Sequence, residues 1–260
     1  MLGSDDKVWR VNRRPRITAF ELGEYIAADD DPRDTIVRGM KFERIARSTL
    51  YRTVRMAIAR YLAGQSRDPT ILEACRADLL NRRRSATSQQ QSRNLDHEIA
   101  ALDAFQKASP HLDTAGCIVT RASIQRPMVI EGVTVSVQPT IWLRFNRNRG
   151  LDLAGAVIVD PAKGGMLKSA DAQAAALLAS QVTAVMVHRL VERAITQDGV
   201  RASADHCIVF HSHRQTATPA PASHKRMARN VEAACRAIVR AWPDVEEPAG
   251  FDPKRATYRN

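Results

Sequence analysis

The densest group of metal-capable side chains in the sequence is Asp205-His206-Cys207, followed closely by His211-Ser212-His213. Side chains on an extended strand alternate between its two sides, so Asp205, Cys207, His211 and His213 share one face. Histidine, cysteine and carboxylate together are donors that zinc accepts. Val209 lies on that same face, however, and histidines at a strand end are commonly solvated or satisfied by backbone groups, so the pattern favours a structural role. Phosphate contact by His211, His213 and Arg214 stands between those readings. Lys163-Gly164-Gly165 has the form of a phosphate-cradling turn, but it lacks the spacing of a nucleotide P-loop, and nucleotide hydrolysis is set aside.

The second kind of chemistry is charge. The chain has 39 Lys and Arg against 28 Asp and Glu, a formal excess of +11, which attracts polyanions through the summed field. Arg147 and Arg149 beside Arg144 could track a phosphate backbone, with Trp142 and Phe145 near enough to stack on bases. Trp142 shares strand parity with Thr140 and Arg144, whereas Phe145 shares it with Leu143, so at most one ring faces a ligand. Arg82-Arg83-Arg84 ends a helix where the macrodipole already favours cations. Lys225, Arg226 and Arg229 occupy the first turns of the last helix, where the dipole disfavours them, and Arg236 and Arg240 extend the stripe. Nucleic acid, DNA before RNA, is the expected partner.

Positioning those groups requires a fold. Thr18-Ala-Phe-Glu21 has the form of a capping box and opens a short helix through Ile26. Pro32 sits in the first turn of a longer helix whose apolar positions from Ile36 to Leu62 predict a run ending at Gly64. Residues 69 to 84 and 88 to 108 read as two more helices, so four helices precede any strand. Short β-branched segments follow at Ile118-Val119, Met128 to Ile130, Val133 to Phe145 and Ala156 to Asp160. The basic turn Asn146 to Gly150 makes the last two a hairpin. An alanine-rich helix from Asp171 to about Ile195, a strand at Cys207 to Phe210 and a helix from Ser223 to Trp242 complete an α/β order: a helical N-terminal half, then a small mixed sheet flanked by helices. The expected organisation is a basic leader over 1–16, a single domain over 17–245 (helical over 17–110, sheet and flanking helices over 111–245) and a polar tail over 246–260.

Cys75, Cys117, Cys207 and Cys235 show no paired spacing and fit a reducing compartment. The charged start lacks the apolar core of a signal peptide, and no apolar run reaches the roughly 18 residues of a membrane span. A cytoplasmic protein without a membrane partner is expected.

Taken with the residues at its turns, that order resembles the RecB/Cas4-like branch of the PD-(D/E)xK nuclease superfamily. Ile17-Thr-Ala-Phe-Glu-Leu22-Gly-Glu-Tyr25 is similar to the Ser-x-Leu-x-x-Tyr opening of that branch, and Asp31-Pro32-Arg33 stands where Cys-Pro-Arg often follows. Val133 to Arg144 and Gly155 to Lys163 match the hairpin that carries the catalytic residues. The resemblance implies a restriction-endonuclease-like fold in which two carboxylates on adjacent strands hold Mg²⁺ and a lysine orients the attacking water. Asp160 and Lys163 would supply one acid, also the metal ligand, and the lysine. Their spacing is three rather than two, which puts them on opposite sides unless a bulge intervenes. Pro139-Thr140 stands where the first acid belongs. The family's extra histidine and iron–sulfur cysteines are absent too.

The sequence therefore predicts a nucleic-acid-binding protein on a degenerate nuclease fold, with Arg144, Arg147, Arg149, Lys163, Lys225, Arg226 and Arg229 as phosphate contacts and no confident cofactor. Two alternatives are an active Mg²⁺-dependent nuclease, with a second acid from Asp152, Glu21 or Glu43, and a scaffold whose helical half docks a protein partner.

Overall fold

A computed structural model describes residues 8–45, 50–64, 66–147, 151–163, 169–195 and 199–259. The fold is mixed α/β, with helices dominating the first half. Trp9–Asn12 forms strand β1 and Arg16–Thr18 forms β2, which leads into helix α1 (Ala19–Ala27). The capping box exists: Thr18 Oγ1 accepts the Glu21 N–H at 3.2 Å, and the Glu21 carboxylate accepts the Thr18 N–H at 2.9 Å. The single helix expected from Pro32 to Gly64 is instead α2 (Asp30–Lys41), strand β3 (Phe42–Arg44) and α3 (Arg52–Ala63). The reason is a local pairing. β3 lies antiparallel to β1, and Phe42 and Trp9 both meet the Phe251 ring edge-on, at 4.9 and 5.7 Å between centroids. A three-ring satellite core thus overrides the helical register.

Helices α4 (Thr70–Arg84) and α5 (Gln89–Ala108) follow as expected. Next come β4 (Ile118–Arg121), β5 (Met128–Ile130), β6 (Val133–Ser136), β7 (Ile141–Arg147) and β8 (Leu151–Asp160). Helix α6 (Ala170–Ala194) crosses to β9 (Val200–His211), and β10 (Thr216–Pro219), α7 (His224–Ala241) and β11 (Ala256–Arg259) end the order. The leader and tail contribute strands rather than loose extensions, since β11 pairs parallel with β1. Strands β1 and β2 also precede the first helix, and β3 interrupts the helical run, contrary to the expected order.

The main sheet has the order β10-β9-β8-β7-β4. β7 and β8 form the expected antiparallel hairpin, while β8 and β9 run parallel with α6 between them in sequence. Alternation sends Ala156, Ile158, Cys207 and Val209 into one core with α1, α6 and α7. Val157, Val159, Ile208 and Phe210 face a second core built on α3, α4 and α5. Length and composition would let α6 cross a bilayer, but more than half of its apolar stretch is buried inside the fold. α1 lies close on α6 because Gly23 has no side chain: a Cβ there would collide with the Ala179 carbonyl oxygen. Lys41 Nζ closes the end of α7 by donating to the Trp242, Pro243 and Val245 carbonyls at 2.8, 3.2 and 3.3 Å.

Candidate functional site

Asp160 ends β8 and His211 ends β9, and the two are partners in the parallel ladder. Strand parity points both toward α6, where the side chain of Ser180 waits. His211 Nδ1 is 3.0 Å from Asp160 Oδ2, and His211 Nε2 is 2.8 Å from Ser180 Oγ. Past Asp160 the chain turns, and Asp160 Oδ1 accepts the Ala162 N–H at 3.0 Å, the short-range bond that aspartate makes in a turn. On the other side stands the start of α3, with Tyr51 in a left-handed conformation (φ 66°) and Arg55 one turn on. Phe20 of α1 covers the His211 ring at 6.3 Å between centroids.

Burial alone would raise the Asp160 carboxyl. The hydrogen bond and charge of His211, the Ala162 N–H and the charge of Arg55 outweigh it and hold the group below the ordinary carboxylate value. Burial and the nearby Asp160 charge push the Tyr51 phenol up against the pull of Arg55. At the rim, burial and the charge of Lys163 lower the His213 imidazole, with Asp160 and the Pro161 backbone opposing. A largely buried carboxylate thus feels the charge of Arg55, and His213 that of both Asp160 and Lys163, at the carboxyl ends of two parallel strands, where α/β sheets commonly bind ligands.

Serine, histidine and aspartate in hydrogen-bond series suggest acyl transfer, but the serine is misplaced for it. Ser180 is 4% exposed and its hydroxyl also bonds the Ala176 carbonyl at 2.7 Å. A substrate carbonyl cannot reach it, and its own N–H belongs to the helix. The series is a lock between sheet and helix.

The donors present do not fit Mg²⁺ either. Both Asp160 oxygens are engaged, and Thr140 Oγ1 is taken by the Val159 N–H at 2.9 Å. The three carboxylates that could have supplied a second acid are bound elsewhere: Asp152 to Arg144 at 2.9 Å, Glu43 to Arg10 at 3.1 Å, and Glu21 in the capping box. Among the described residues no cluster of three His, Cys, Asp or Glu could hold a metal. His211 of the expected His/Cys face is spent on Asp160 and Ser180, and Cys207 is buried in the α6 core with its thiol pushed up to about 12, chiefly by burial.

The expected phosphate contacts do not form one surface. Lys163 is exposed, with its charge acting on His213. Arg144 is exposed and pairs with Asp152 opposite Ala154, six residues back along β8, roughly 20 Å at about 3.3 Å per residue. Arg147 ends β7, but its side chain, like all of Arg149, lies outside the described residues. Trp142 is half-buried against the α6 core, and the Phe145 ring meets that of His206 at a tilt, 4.0 Å between centroids. Lys225, Arg226 and Arg229 are exposed on α7 and make no salt bridge among the described residues, whereas Arg236 pairs with Glu131 at 3.3 Å. Arg82 and Arg83 are held by Asp78 and Asp96. Sequence reasoning missed Ser180, Tyr51 and Arg55. Only the shared strand-end position of Asp160 and His211 was visible, and it needed the β8–β9 register to become a contact.

No family model, no curated protein and no solved structure matches this chain.

Proposed function

We propose that the protein binds nucleic acid, DNA first, on a restriction-endonuclease-like core that has lost the donors for cleavage. The observation that carries this reading lies at the carboxyl ends of β8 and β9. The Asp160 carboxylate is spent on His211 and Ala162, while Arg55 and Lys163 stay exposed at its rim without a salt bridge among the described residues. A nuclease site turned into a structural lock leaves positive charge that positions a phosphate backbone but supplies no metal-bound water. The hairpin, the long helix, the next strand and the last helix follow one another in the order that the resemblance implies, which supports the same reading. Lys225, Arg226 and Arg229 add a second exposed cationic surface on α7, at a helix start that gives them no structural reward.

The test is incubation of the purified chain with labelled single- and double-stranded DNA and RNA in Mg²⁺, Mn²⁺ or EDTA, scoring retardation and cleavage together. Salt-sensitive retardation without cutting, weakened in an Arg55→Gln/Lys163→Gln variant, is expected. Metal-dependent cutting lost in Asp160→Asn would establish a nuclease instead. Absence of both binding and cutting would leave the helical half as a docking surface for a protein partner.

A further inference from the structure

Between the sheet of β11, β1 and β3 and the sheet of β2, β6 and β5, the chain passes through Arg13-Arg14-Pro15. A cavity of about 130 Å³ opens there, lined by Asn12, Arg14, Arg16, Thr134 and Arg259. At ~30 Å³ per water it has room for roughly four, the scale of a tetrahedral oxyanion. Two of its walls are cross-strand pairs, Asn12 beside Arg259 and Arg16 beside Thr134. Backbone bonds fix both walls: the Arg13 N–H donates to the Arg259 carbonyl and the Thr134 N–H to the Pro15 carbonyl, each at 2.9 Å. Sheet register, rather than the drift of long surface side chains, brings these groups together.

Three arginines line this cavity without a carboxylate among its walls, and none of them makes a salt bridge among the described residues. Glu43, whose charge reaches Arg16, is already bound to Arg10 at 3.1 Å. Burial, then the charges of Arg259 and Arg10 against that of Glu43, lower Arg16, which places its charge close to that of Arg259. Asn12 braces this wall from within the fold. It is 4% exposed, its Nδ2 donates to the Met40 carbonyl at 2.7 Å, and its Oδ1 is buried with no hydrogen-bond partner. The Met40 bond fixes which way the amide faces. The cavity therefore offers the charged donors of three arginines and a threonine hydroxyl, a set suited to an anion.

We propose that this cavity is a phosphate-binding site taking a phosphomonoester group or inorganic phosphate. Arg14, Arg16, Arg259 and the Thr134 hydroxyl donate to its oxygens. The proposal stands apart from the nucleic-acid reading of the β8–β9 rim, since a free phosphate or a phosphorylated end would satisfy the same donors.

Equilibrium dialysis of the whole chain with labelled inorganic phosphate, at low ionic strength, tests it. Saturable binding is expected. Arg14→Gln and Arg259→Gln alter exposed side chains, so the circular dichroism spectrum should be kept while phosphate affinity falls by about tenfold or more in each. Competition by a mononucleotide, a 5′-phosphorylated oligonucleotide and its 5′-hydroxyl counterpart then identifies the source of the group. The Lys225→Gln/Arg226→Gln variant should bind phosphate as wild type does, whatever it does to nucleic-acid retardation, which separates the two readings. Absence of saturable phosphate binding, or affinity unchanged in both Arg14→Gln and Arg259→Gln, would overturn the site.

Discussion

His211 Nδ1 lies 3.0 Å from Asp160 Oδ2 across the last rung of the β8–β9 ladder, and both side chains are largely removed from solvent. Breaking such a pair leaves a buried polar or charged group without its partner, which costs about 3–5 kcal/mol when the pair is well enclosed. Asp160→Ala and His211→Ala should each lower the unfolding free energy by about 3 kcal/mol in urea titrations, since Asp160 keeps some solvent contact. The double variant should lose clearly less than the sum, because the second removal strips a group already orphaned. Strict additivity would show that the lock between sheet and α6 does not depend on this bond.

The same pair sets an acid limit on stability. The Asp160 carboxyl is held below its ordinary value of 3.8 in the fold, so the unfolded chain takes up its proton first as pH falls. Its contribution is fully present above that ordinary value and is lost as pH drops through the lower folded value. Unfolding free energy measured from pH 6 down to pH 2 should fall in this acid window, and Asp160→Asn should remove part of that slope. An unchanged slope in the variant would mean that other carboxylates carry the acid transition.

Much of this architecture was legible in the residues. The capping box at Thr18, the hairpin of β7 and β8, the alanine-rich α6 and the basic start of α7 all follow from local pattern, because each satisfies its own neighbours in sequence. What could not be read is what depends on distant pairing. Phe42 reads as one more apolar position in a helix until Trp9 and Phe251 arrive from 33 residues before and 209 after it. Gly155 reads as a weak point in a strand, yet a Cβ there would collide with the His206 backbone where β9 bulges over it. The cavity of Arg14, Arg16 and Arg259 joins the two ends of the chain through the β1–β11 pairing, so no sequence window contains it.

Glu98 gives the opposite pH signature from Asp160. Its Oε1 accepts the Tyr51 N–H at 3.3 Å, while Oε2 is buried with no hydrogen-bond partner among the described residues. Burial raises this carboxyl above its ordinary value of 4.5, despite the Tyr51 bond and the charge of Arg82. The folded state therefore holds the proton longer than the unfolded chain does, and stability that is fully present below the ordinary value is lost as pH rises through the folded one. Glu98→Gln keeps an acceptor for the Tyr51 amide without the charge. Its unfolding free energy should exceed that of wild type by about 1 kcal/mol at pH 7 and lose the decline above pH 4.5, as read by urea titration across that range. A variant less stable at every pH would show that the ionised carboxylate is needed where it stands.

The cations at the start of α7 separate a binding role from a structural one, because the two make opposite predictions for the same substitutions. Lys225, Arg226 and Arg229 are exposed and make no salt bridge among the described residues, so the helix gains nothing from their charge and carries the dipole penalty of cations at its positive end. Replacing all three by Gln should therefore raise thermal stability slightly, by about 0.3–1 kcal/mol in total. If they also contact phosphates, each lost contact removes one released counterion, and the slope of log affinity against log salt should become shallower by about 0.9 per contact on duplex DNA. A variant that folds more stably yet binds more weakly, with a shallower salt slope, would identify α7 as part of the nucleic-acid surface. Unchanged affinity and slope would confine binding to the rim of Arg55 and Lys163, whose substitution should then account for the whole salt dependence.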